Sequence, residues 1–135
     1  MKIRRNSAEE GWTLIELMVV MSLIIVLSTI ALAQYRNSIR QTKEAVLRAD
    51  LFHMRESIDQ YYADKGSYPS SLQTLVSEGY LRSVPQDPIT KSSDTWVTTQ
   101  AELDPTATSS SRGIYDVKSG ADGVSLDGTR YSDWH

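Results

Sequence analysis

From Trp12 to Lys65 the chain has neither glycine nor proline. That stretch of about 54 residues would make roughly 80 Å of helix, against a mean of ~11–12 residues in globular proteins. Its first part, residues 12–33, is almost wholly apolar. As a helix this part measures about 33 Å, a match to a bilayer core of about 30 Å. Glu16 is the single charge in it. A carboxylate in a spanning helix costs about 2.5–3.5 kcal/mol even on lenient insertion scales, which makes Glu16 a functional candidate. Lys2, Arg4 and Arg5 precede the run, so the positive-inside rule predicts a cytoplasmic N-terminus with the remainder outside.

The second part of the stretch is patterned differently. Leu47, Leu51, Met54, Ile58, Tyr61 and Tyr62 recur at three- and four-residue intervals, one apolar stripe of an amphipathic helix. Arg40, Lys43, Glu44, Arg48, Asp50, Arg55, Glu56 and Asp59 are expected to supply solvated faces, with Glu44 and Arg48 at the i,i+4 spacing that helps slightly. Gly66 is the predicted stop, and Pro69 prevents resumption. Beyond it, Ser70 or Ser71 caps a short helix carrying Leu72, Leu75 and Val76, which ends near Gly79. Residues 80–85 read as an extended connection and Asp87-Pro88 as a turn. Residues 95–99 and 114–117 have strand composition, with a loop over 101–112 between them. The tail from Ser119 to His135 reads as a glycine- and aspartate-rich loop on the exterior. A long helix packed on a small antiparallel sheet is an α+β architecture.

Composition narrows the function. The net charge is -3, and from Ser67 onward five Lys/Arg face nine Asp/Glu. A nucleic-acid-binding domain would carry a basic patch instead. With no cysteine, neither a disulfide framework nor a thiol nucleophile exists, so a domain this small needs another stabiliser. His53 and His135 have no clustered partners in sequence, and Ser109-Ser110-Ser111 has no base beside it, so no catalytic site is expected. Asp122 and Asp127 lie five residues apart on a loop that glycines allow to curl, a pattern that suits either Ca²⁺ or a solvated acidic turn. Ala31-Leu32-Ala33 is an A-x-A signal-cleavage pattern, and cleavage there would release a soluble binding domain starting at Gln34. Against that reading, the apolar run is long, carries Glu16, and continues as helix past the cut.

Two blocks of residues resemble a known family. Gly11 followed by Trp12-Thr13-Leu14-Ile15-Glu16 and a hydrophobic helix resembles the class III leader of type IV pilins and type II secretion pseudopilins. Tyr61 to Pro69, then Gly79-Tyr80-Leu81 with Val84 to Pro88, then Ser119 to Gly123 and Asp133-Trp134, is similar to the major pseudopilin (the G subunit) of type II secretion. The resemblance implies a pilin-like fold and three segments: a leader over 1–11, a transmembrane and filament-core helix over 12–33, and a periplasmic domain over 34–135. It implies that a prepilin peptidase cuts after Gly11 and methylates the amine of Trp12. Glu16 would neutralise that amine on an adjacent subunit during filament assembly.

The implied role is structural. Copies of the chain, with other pseudopilins, would polymerise on an inner-membrane assembly platform into a helical filament that drives protein export. A type IV pilus subunit is the alternative within the family. The resemblance also implies Ca²⁺ in the C-terminal loop, with Asp122 and Asp127 side chains and Ser119 and Ser125 oxygens as ligands, and Asp133 as a further candidate. The chain departs from the family where Trp12 replaces phenylalanine, Ile25 a mid-segment glycine, and Ala33 a helix-interrupting proline. Without those two breakers, local unwinding of the helix should be harder.

Overall fold

The computed structural model describes residues 7–102 and 112–135. Residues 1–6 of the expected leader and most of the expected 101–112 loop lie outside the described residues. The chain divides into two compact units, Met1–Ile39 and Arg40–His135. Helix α1 spans Ser7–Lys65, so it begins before Gly11, upstream of the expected start at residue 12. It runs unbroken through Ile25 and Ala33, as the absence of glycine and proline requires. It stops where predicted. Gly66 takes φ +69°, and its N–H closes on the Tyr62 carbonyl at 2.8 Å.

In the first unit every described side chain from Thr13 to Ile39 is exposed, Leu14, Ile24 and Leu27 among them. This segment is long and apolar enough to cross a membrane. Two of its hydroxyls bond within the helix: Ser22 donates to the Met18 carbonyl and Thr29 to that of Val26, both at 2.7 Å. That arrangement lets a hydroxyl sit in hydrocarbon without an orphaned donor.

The second unit is built on the amphipathic part of α1. Leu47, Leu51, Met54 and Ile58 form the buried stripe. Tyr61 and Tyr68 pack at the margin of the core, while Tyr62 stays half-exposed and stacks on Tyr68 at 4.4 Å. Helix α2, Leu72–Ser77, is capped by Ser71, whose hydroxyl accepts from the Thr74 N–H at 3.2 Å, and it buries Leu75. Strands β1 (Trp96–Gln100) and β2 (Ile114–Ser119) pair antiparallel, Trp96 opposite Ser119 and Gln100 opposite Ile114, with a bulge at Thr99/Gln100. Ile114 and Val117 point from β2 into the core, and the Trp96 indole donates to the Pro85 carbonyl at 2.8 Å.

The tail departs from expectation. Most of residues 119–135 are exposed, but Ala121, Ser125, Tyr131 and Trp134 are buried and anchor the loop to the core, and Tyr131–Asp133 forms a 3₁₀ turn. Val124 and Arg130 form a bridge that folds the tail back on itself. The physical reason lies in composition. Two aromatic rings so near one another bury large apolar area, and Tyr131 meets Trp134 edge-on at 5.3 Å. The glycines supply the turns: Gly123 and Gly128 both take positive φ.

Candidate functional site

Two regions carry the residues the sequence singles out. The first is the N-terminal part of α1, which holds Gly11, Trp12 and Glu16. The side chain of Trp12 lies outside what the structure describes. Glu16 is exposed on a helix turn it shares with Ile15, Val19 and Val20, all exposed and apolar. A carboxylate on that surface is stable only where it meets a cation or polar partner once lipid or other helices cover the turn. The helix is apolar on all sides here, so what covers it must be hydrocarbon or other apolar helices.

The second region is where α1 meets the tail. Of the residues expected to form a solvated face, Arg40 and Arg48 are exposed, but Glu44 is buried and Arg55 partly so. Glu44 is only 6% exposed and bonds the tail twice: it accepts from the Leu126 N–H at 3.0 Å and from the Tyr131 hydroxyl at 2.9 Å. Its i,i+4 partner is Arg40, at 3.5 Å, rather than Arg48. Arg40 also donates to the Val124 carbonyl, and hydrogen bonding with Tyr131 raises its guanidinium above the ordinary value. Arg48 pairs with Asp127 at 3.1 Å and lies 4.5 Å from the centre of the Trp134 ring. Arg55 donates to Asp116 at 2.8 Å, to the Val117 carbonyl at 2.9 Å and to the Trp134 carbonyl at 2.8 Å. One helix edge thus ties β2 and both ends of the tail together.

A sequence signal for this exists. At about 100° per residue, Glu44, Arg48 and Arg55 fall along one edge of the Leu47–Ile58 stripe. Charges bordering a buried stripe are in reach of whatever packs over it. Asp87, read only as part of a turn, is fully buried. One oxygen accepts from the Ile89 and Thr90 N–H groups at 2.8 and 3.3 Å, the other from the Ser119 hydroxyl at 2.5 Å. Nothing in its spacing marks that role.

The structure disperses the expected calcium ligands. The Ser119 hydroxyl donates to Asp87 and accepts from the Ala121 N–H at 3.1 Å. Ser125 pairs with the Thr129 hydroxyl at 2.9 Å, and Asp127 with Arg48. Asp122 is exposed and lines a cavity of about 340 Å³ that Arg130 also lines. Asp133 accepts from the Ser132 hydroxyl at 3.4 Å. Among the described residues no three acidic, histidine or cysteine side chains group as a metal site would need. A calcium site takes six to eight oxygens around one centre. Here Ser119, Ser125 and Asp127 are each engaged with protein partners instead.

His53 lies exposed on α1 beside Glu56, 3.8 Å away, in an ordinary surface role.

The chain is similar to three kinds of named relative. It is 29% identical over 96 residues to type II secretion system core protein G of Pseudomonas aeruginosa, covering 59% of this chain and 68% of the relative. The protein of the same name from Klebsiella michiganensis is 25% identical over 100 residues, covering 62% of this chain and 70% of the relative. A fimbrial protein of Neisseria meningitidis serogroup A is 34% identical over 68 residues, covering 49% of this chain but only 39% of the relative. A type IV major pilin protein of Neisseria gonorrhoeae matches at 32% over 68 residues. No family model and no solved structure matches. These relatives bear the names of a secretion-system core protein, a fimbrial protein and a pilin, and a long N-terminal helix followed by a small antiparallel sheet is the α+β form expected of a pilin-like chain. The chain is thus similar both to type II secretion core protein G and to type IV pilins, over about half to three fifths of its length.

Proposed function

We propose that this chain is a subunit of a type II secretion pseudopilus, polymerising from the inner membrane into a filament that drives protein export. The observation that carries the reading is the all-exposed apolar run of α1 from Thr13 to Ala33, in which Glu16 is the single charge. Such a helix is stored in a bilayer and then buried against copies of itself. A prepilin peptidase cuts after Gly11, and the methylated amine of Trp12 becomes the cation that Glu16 meets on the neighbouring copy. Heterologous contacts of this kind do not close, so they propagate as a helical filament. The domain from residue 34 onward faces the periplasm, and an inner-membrane assembly platform with other pseudopilins completes the machine. The secretion proteins match more of this chain, and more of their own length, than the fimbrial ones do, which supports export over adhesion.

The test replaces Glu16 in the native host. Glu16→Ala should leave membrane insertion intact and reduce filament formation to background, since removing one partner of a buried pair costs about 3–5 kcal/mol. Filaments at the parent's level from this variant would refute the role. The higher identity to the fimbrial protein favours a second reading, a type IV pilus subunit. Deletion decides between them. Loss of exported proteins with no surface fibres supports the pseudopilus, whereas loss of long surface fibres with export intact supports the pilus.

A further inference from the structure

We infer that the C-terminal loop of this chain is locked by charged side chains of α1 and needs no divalent cation to hold its fold. A metal in such a loop would neutralise converging carboxylates and fix backbone carbonyls. Here both tasks are already done by protein groups. Arg40 takes the Val124 carbonyl, Glu44 takes the Leu126 N–H and the Tyr131 hydroxyl, and Arg48 takes the Asp127 carboxylate. These three residues follow one another at four-residue steps, so a single helix edge engages the loop from Val124 to Tyr131.

The remaining expected ligands are committed elsewhere. The Ser119 hydroxyl is held between Asp87 and Ala121, and that of Ser125 by Thr129. Arg130 is among the residues lining the cavity beside Asp122, and its positive charge works against a cation there. Placing Ca²⁺ there would bring like charges together and break the Arg48–Asp127 pair if Asp127 were recruited. The loop is also closed by its own backbone: the Ser125 N–H donates to the Thr129 carbonyl at 2.7 Å, and the Gly128 N–H to that of Ser125 at 3.0 Å. This holds for a pseudopilus and for a pilus alike, since it concerns the subunit's own fold.

The experiment follows thermal unfolding and amide exchange of the full chain in detergent micelles, in excess chelator and in excess CaCl2. The parent's Tm should agree between the two conditions to within about 1 °C, because a ligand that binds only the native state must raise it. Glu44→Ala should lower Tm by about 4–8 °C or more, equally in both conditions, with Glu44→Gln losing less because its amide oxygen still accepts. Should Glu44→Ala fail to fold, exchange at the Leu126 amide in Glu44→Gln is the readout, and it should quicken several-fold whether calcium is present or not. Chelator lowering the parent's Tm by several degrees would overturn the inference. Saturable Ca²⁺ binding that Asp122→Ala abolishes would overturn it as well.

Discussion

Asp50 sits where burial works against its charge. Its carboxyl is pushed above the usual carboxylate range, chiefly by desolvation, with His53 opposing and Asp87 adding to the rise. A raised carboxyl binds its proton more tightly in the folded chain than in the unfolded one. Its contribution is therefore favourable at low pH and is lost as pH climbs through the folded value. Asp50→Asn removes that loss, so the variant should melt higher than the parent at pH 7, with the gap shrinking as pH falls below the carboxylate range. A pH series of melting curves checks it, and a gap that widens toward low pH would contradict the assignment. Single residues are where the sequence was hardest to read. Glu44 and Asp87 look like surface acids, and only the chain folded over them makes them buried acceptors. Glu16 stands out in the sequence as a lone acid in an apolar run, and replacing it is what tests its role.

Elements were far more transparent than residues. The stripe Leu47, Leu51, Met54 and Ile58 follows from three- and four-residue spacing, and α1 ends at the one residue suited to positive φ. Both strands and the Ser71-capped helix fall within a residue or two of their compositional signals. The tail misled because glycine and aspartate suggest solvent, while the burial of Tyr131 and Trp134 depends on α1 residues some eighty positions away. The stripe predicts its own energetics. Met54→Ala should cost about 2–5 kcal/mol, since it opens a cavity under the sheet. Phe52→Ala, two positions away and 64% exposed, should change stability by about 0.5 kcal/mol or less. Chemical denaturation of both variants checks the contrast, and equal losses would mean the stripe is misassigned.

At the scale of the whole molecule, the chain joins two units with opposite needs. The second, Arg40–His135, has its own core and a set of satisfied polar contacts. The first offers apolar side chains on every side of one helix and has no core of its own among the described residues. On the function proposed above, such a chain is completed by lipid before assembly and by other copies after it, provided the apolar part of α1 stays attached to the domain. The alternative cut after Ala33 would remove the apolar part of α1 and leave only a soluble domain. Intact-mass and N-terminal analysis of the native mature protein separates these directly. The account predicts a chain beginning at Trp12 and carrying one extra methyl group on its amine; a mature chain beginning at Gln34 would contradict it.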